Sequence, residues 1–256
     1  MTNFIAVANQ KGGVGKTSIA AHLACFAHET DRRVLLVDLD QQGSATFLCA
    51  GDGNKHRTNQ GTALDLWDDG IEKLNIQESL FGFDYLQASQ ELDAVDDDLD
   101  DAVRALRKLD DYGYDVIVID CPPAPGVRQI APLLVADRQV VPITADALGT
   151  QGLVGVLMQH QTQILPRNPG LDLRVIVNLH KAVSGTQKAV IEQLRTYLGP
   201  KLLEAVLTDR ELVKQALRSG KPVWAATKEP FGDAWRAACE ELLSFSEDDD
   251  MDEGVI

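Results

Sequence analysis

Cysteine is scarce in this 256-residue chain, and basic charge is outnumbered. The four cysteines, Cys25, Cys49, Cys121 and Cys239, stand far apart with no CxxC pair, which excludes a zinc knuckle and a disulfide framework. A reducing, cytoplasmic setting is therefore expected. No window approaches the ~20 consecutive apolar residues that a membrane span requires. Met1 to Asn9 carry no basic flank followed by an apolar core, so export is not expected either. Lys and Arg number 24 against 39 Asp and Glu, and the formal net charge of -15 speaks on its face against nucleic acid or an anionic membrane as partner. Aromatic residues are only 5% of the chain, but 45% hydrophobic and 25% charged residues suit one globular domain with a large core and exclude a disordered chain.

What is present is a series of short apolar runs separated by longer segments of helical period. Phe4–Ala8, Val34–Val37, Val116–Ile119, Val140–Ile143 and Val175–Val177 are apolar at nearly every position, as strands buried on both faces must be. Helical spacing falls near 16–30, 90–109, 127–136, 149–165, 184–198 and 231–245. This βαβ alternation predicts an α/β fold: a doubly wound, mostly parallel sheet with helices on both faces, forming one domain over residues 1–246. Gly51 to Gly61 read as an exposed loop, and the acidic residues 247–256 as a disordered tail.

After the first strand comes Lys11-Gly12-Gly13-Val14-Gly15-Lys16-Thr17-Ser18, and an apolar helical stretch follows. The pattern GxxxxGK[ST] would need Gly at position 10, where Gln10 stands, so the loop is the variant KGGxGK[ST] with an additional lysine, Lys11. Glycines let backbone N–H groups turn inward around phosphates, and the helix beginning near Lys16 adds its positive end. Lys16 is expected to reach the β- and γ-phosphates, and the Thr17 hydroxyl to ligate Mg²⁺. The competing reading is a glycine-rich turn between strand and helix. Two apolar runs end in carboxylates, Asp38 and Asp40 after the second strand and Asp120 after a later one. Ligands of open α/β sheets lie beyond the carboxyl ends of the strands, so these groups are expected at the same site. Asp120, with Asp38 beside it, is assigned to the metal and Asp40 to orienting the attacking water. A strand-end or helix-capping role is the alternative for each taken singly.

The stretches NQKGGVGKTS (9–18), RRVLLVDLDQQGSAT (32–46), YDVIVIDCPPAPG (114–126) and SGKPV (219–223) resemble the ParA branch of the ParA/MinD family of deviant Walker-type ATPases. The resemblance implies ATP and Mg²⁺ as cofactors, and a sandwich dimer formed when ATP is bound. It makes Lys11 the signature lysine that crosses to the partner's nucleotide. Gly12 becomes a position that must stay small where subunits meet. Asn178, at the end of the Val175–Val177 run, is the candidate contact to adenine, with a turn-forming Asn as the alternative. Gln41 stands where relatives carry proline, Ser18 where Thr is frequent, and Asp84–Ser89 lack a proline often seen there; none of these removes a catalytic group. No helix-turn-helix region precedes the loop, so reading of a specific operator is not expected.

Between Lys181 and Lys228 nine basic residues face four acidic ones. Lys188 and Arg195 share a face of one helix, and Lys214 and Arg218 a face of another, with Arg210 and Lys221 nearby. ParA relatives use this part of the chain to hold double-stranded DNA without sequence preference, and a ParB-like protein or cargo adaptor stimulates hydrolysis and release. Nucleoid association is the implied location. The segments 91–101 and 247–253 hold thirteen of the acidic residues, so the net charge does not exclude this patch. The alternatives are a MinD-like membrane regulator, which needs a basic amphipathic C-terminal helix where this chain is acidic, and a metabolic ATPase on the same fold. A nitrogenase-reductase-like donor would need cysteine ligands for a cluster, and only Cys121 lies near the nucleotide site.

Overall fold

A computed structural model of the chain describes residues 2–51, 61–95, 98–181 and 184–245. In chain order the elements are β1 (Asn3–Val7), α1 (Lys16–Glu29), β2 (Val34–Asp38), α2 (Ser44–Ala50), β3 (Gln77–Glu78), β4 (Asp84–Leu86), α3 (Leu99–Arg107), β5 (Val116–Asp120), α4 (Val127–Val135), β6 (Arg138–Ile143), α5 (Ala147–Gln159), β7 (Asp172–His180), α6 (Gly185–Leu198), β8 (Leu202–Thr208), α7 (Glu211–Arg218), α8 (Val223–Ala226) and α9 (Pro230–Leu243). Among the described residues the strands form one eight-stranded sheet of order β3-β4-β2-β5-β1-β6-β7-β8, parallel except for the β3–β4 pair.

Both faces are covered because the strands alternate their apolar side chains between two cores. In β1, Ile5 and Val7 pack with α1 and α9, while Phe4 and Ala6 pack with α3 and α4. Val116 and Val118 of β5 divide from Ile117 and Ile119 in the same way. All five apolar runs are strands, and the six helical segments are helical within a few residues. Edge elements differ. β3 and β4 are two and three residues long, and β8 exposes Glu204 on the sheet's rim, so these carry no continuous apolar run. The expected loop 51–61 lies, apart from its end residues, outside the described residues, as does the expected tail 247–256.

The helix that leaves the first loop is clamped from the far end of the sequence. His22, fully buried in α1, donates from Nδ1 to the Ser18 carbonyl (2.6 Å), and its Nε2 accepts the Val223 amide (3.1 Å). Trp235 of α9 packs on the ring with a centroid separation of 4.3 Å. Both nitrogens are committed in the neutral form, and burial pushes the imidazole down to about 4. An unfolded His takes up its proton near pH 6.5 while the folded one waits until about 4. Stability is therefore lost as pH falls through that window, on the order of 3 kcal/mol in all. Asp38 and Asp120, both raised by burial, slope the opposite way. The expected result is that His22→Gln flattens the acid limb relative to wild type in denaturant titrations between pH 7 and 4.5. Parallel curves would contradict it.

Candidate active site

The segment joining β1 to α1 owes its shape to glycine and two asparagines. Gly13 and Gly15 hold φ of 73° and 89°, the left-handed region that L side chains rarely adopt. A Cβ on Gly15 would also stand 2.2 Å from the Asn178 amide nitrogen. Asn9 donates to the Pro142 carbonyl (2.7 Å) and accepts the Lys11 amide (2.9 Å), tying the loop to β6. Asn178 donates to the Val14 carbonyl (2.9 Å) and ties it to β7. The loop is thus fixed without any ligand. Gly15 caps α1 without a side-chain acceptor, leaving the first-turn amides open to an anion.

Lys16 opens α1 at 7% exposure, with its ammonium 3.4 Å from the Lys11 carbonyl. Burial draws its pKa down, opposed by the carboxylates of Asp120 and Asp40 and by Cys121. Thr17 donates to one oxygen of Asp120 at 2.7 Å. The other oxygen, Oδ1, is buried without a hydrogen-bond partner, and burial followed by the charge of Asp38 raises Asp120 well above the ordinary carboxylate range. An orphaned buried carboxylate oxygen, a hydroxyl, a desolvated ammonium and open helix amides together fit a magnesium-bound phosphate chain.

Asp38 departs from its expected place among the metal ligands. β2 and β5 pair it directly with Asp120, yet its oxygens are taken by the chain itself. Oδ2 accepts the amide and hydroxyl of Thr46 (2.7 and 2.8 Å), and Oδ1 accepts the Asp40 amide (3.1 Å). At 1% exposure it anchors the loop from 38 to 46. Asp40, half-buried, borders the cavity and accepts the Gln42 amide at 3.0 Å.

A cavity of about 410 Å³ opens over the loop, lined by Gly12, Gly13, Gly15, Lys16, Thr17, Ser18, Asp40 and Asn178. Asn178 sits inside β7, which runs on to His180 through an irregular register and a left-handed Leu179, so it does not terminate the strand. Its donor is committed to Val14, and its oxygen is without a partner. Arg210 and Lys214, expected on a DNA face, also line this cavity, whereas Lys188 and Arg195 on α6 do not. Thr208, Asp209 and Trp235 line it too and were not legible without β8, whose end delivers the first two. Pro123 and Ser44 complete the wall from stretches already singled out, YDVIVIDCPPAPG and RRVLLVDLDQQGSAT.

Lys11 turns away from the loop. Its ammonium meets Thr144 Oγ1 at 3.0 Å and Asp146 Oδ1 at 3.5 Å, at the start of α5. Gly12 has no neighbour within 4 Å of where a Cβ would stand, so nothing within this chain requires its smallness.

A family model described as an AAA domain matches residues 2–172. The chromosome-partitioning ATPase Soj of Thermus thermophilus is 33% identical over 243 residues, covering 94% of this chain and 95% of that one. Among solved structures, apo McdA from Cyanothece superposes with a TM-score of 0.80 at 23% identity, over 94% of this chain and 100% of that one. A Mycobacterium smegmatis protein described as cobyrinic acid a,c-diamide synthase, with bound ADP and magnesium, gives 0.70 at 29% identity over 94% and 93%. With the variant loop, the carboxylate at the end of β5 and the Soj relative in agreement, the chain belongs to the ParA branch of the ParA/MinD family and is a magnesium-dependent partitioning or positioning ATPase.

Proposed function

We propose that the protein works as an ATP-gated DNA clamp: nucleotide pairs two copies of the chain, the pair holds nucleoid DNA without sequence preference, and a ParB-like or adaptor protein triggers hydrolysis and release. Magnesium, when bound beside Thr17 and Asp120, neutralises charge on the phosphates. Lys16 supplies a fixed cation at the loop, and Asp40 is placed to orient the water. The observation that carries the dimer is the posture of Lys11. Its pair with Asp146 is 3.5 Å long between side chains 30% and 48% exposed and worth little, so exchange for a partner's phosphate gives up mainly the 3.0 Å hydrogen bond to Thr144.

DNA contact rests on surface charge after residue 180. Lys188, Arg218 and Lys221 are exposed on or beside α6 and α7. Arg195 is half-buried and donates to the Glu204 carbonyl (3.0 Å), which makes it a weaker candidate. Arg210 and Lys214 border the nucleotide cavity, where they sense the site as well as the surface. Among the described residues no helix is long and apolar enough to cross a membrane. Cytoplasmic, nucleoid-associated action is the corresponding location.

A dimer that doubles these cations over about six phosphates should lose ~10³-fold in DNA affinity between 50 and 200 mM salt. The expected result is retardation of arbitrary duplex DNA at low salt with ATP and Mg²⁺, absent with ADP and absent in Lys11→Ala, which still binds ATP. Monodisperse protein that leaves DNA unretarded under those conditions would refute the clamp.

A further inference from the structure

The acidic segment before α3 reads as surface charge, yet one of its members, Asp93, pairs with a buried arginine. Arg128, second residue of α4, is only 4% exposed. Its guanidinium donates to the Leu39 carbonyl at 3.3 Å and forms an ion pair with Asp93, which lies in the short turn Leu92–Val95. Leu39 is the residue between Asp38 and Asp40. Its amide is held by the Asp120 carbonyl (3.1 Å), so the peptide groups on both sides of Leu39 are fixed, one by β5 and one by α4.

Asp40 begins where that fixation ends. Its own amide is bound to Asp38, and the carbonyl before it is bound to Arg128. A carboxylate that orients water must be held to a fraction of an ångström, because a misplacement near 1 Å costs ~10²-fold. An arginine buried this deeply is costly unless it is paired and hydrogen-bonded, and here the pair reaches out to a turn on a different segment. α4 follows on the Cys121–Gly126 loop after Asp120, so this helix is tied to β5 through the chain and to the end of β2 through the guanidinium.

We propose that Arg128 is a positioning residue for hydrolysis: it fixes the Leu39–Asp40 peptide against α4, with Asp93 holding the guanidinium in register. This rests on the assignment of Asp40 to the water. A purely structural arginine would lower stability and leave turnover of the folded enzyme unchanged; a positioning arginine lowers kcat and leaves KM and ATP affinity in place.

The test compares Arg128→Met, Arg128→Lys, Asp93→Asn and Asp93→Glu with wild type in ATP titration, steady-state hydrolysis and thermal unfolding. Arg128→Met is expected to lose ~10-fold or more in kcat with ATP affinity within about twofold. Asp93→Asn should lose a few-fold in the same parameter, and Asp93→Glu should restore it. Asp93 is 59% exposed, so its variants keep the question open to decision even where Arg128→Met does not fold. Unchanged kcat in Asp93→Asn, or equal losses in kcat and ATP affinity, would overturn the proposal. Asp40→Ala run alongside separates the two ideas: if it hydrolyses ATP normally, the Asp40 assignment falls whatever the Arg128 variants do.

Discussion

Replacing Lys16 with alanine is expected to lower ATP affinity by ~100-fold or more while leaving the melting temperature unchanged or slightly raised. The ammonium lies in a 7% exposed position at the start of α1, and its hydrogen bond to the Lys11 carbonyl is a long 3.4 Å. Burial depresses its pKa, which means that the folded chain already bears the desolvation of a cation with an incomplete set of partners. A phosphate supplies further counter-charge, and on the lysine's side the desolvation has already been met in folding. Removing the cation removes that gain and relieves the fold of a strained charge. Calorimetric titration with ATP and Mg²⁺, paired with thermal unfolding, reads both halves. Binding within tenfold of wild type would mean that the backbone amides carry the phosphate alone.

Asp40→Ala is expected to do the reverse: ATP affinity within about threefold and hydrolysis reduced ~100-fold or more, the range by which a positioned proton acceptor contributes. The Asp40 carboxylate borders the cavity, and the bond it would lose, to the Gln42 amide, lies at the surface of the loop. The loop's other anchors survive the change, since Asp38 still holds Thr46 and the residue-40 amide through its own oxygens. The trapped ATP state should then retain DNA where the wild type releases it. Single-turnover hydrolysis and DNA retardation on the same preparation check the pair of outcomes, and a normal rate would reassign the water-orienting role.

How far the sequence carried these assignments depends on where each group's environment comes from. β1, β2 and β5 were legible because a strand buried on both faces must be apolar at every step, and Val116–Ile119 is. The phosphate loop was legible because its requirement is a local backbone shape. β8 was not, since an edge strand interrupts its apolar run with Glu204, and with it went the origin of Thr208 and Asp209 in the cavity. Asp38 and Asp40 are indistinguishable in a string of letters. Thr46, eight positions on, decides that Asp38 is an anchor. His22 and Arg128 depend on partners 201 and 89 positions away, a separation at which no spacing rule operates.

The cavity's lining runs from Gly12, ahead of α1, to Trp235 in α9. Synthesis therefore delivers the phosphate loop well before the opposite wall. A nascent chain on the ribosome, or one clipped before α9, possesses the signature motif but only part of the chamber around it. The complete lining therefore exists only in a chain that has been made through α9 and has packed that helix against α1.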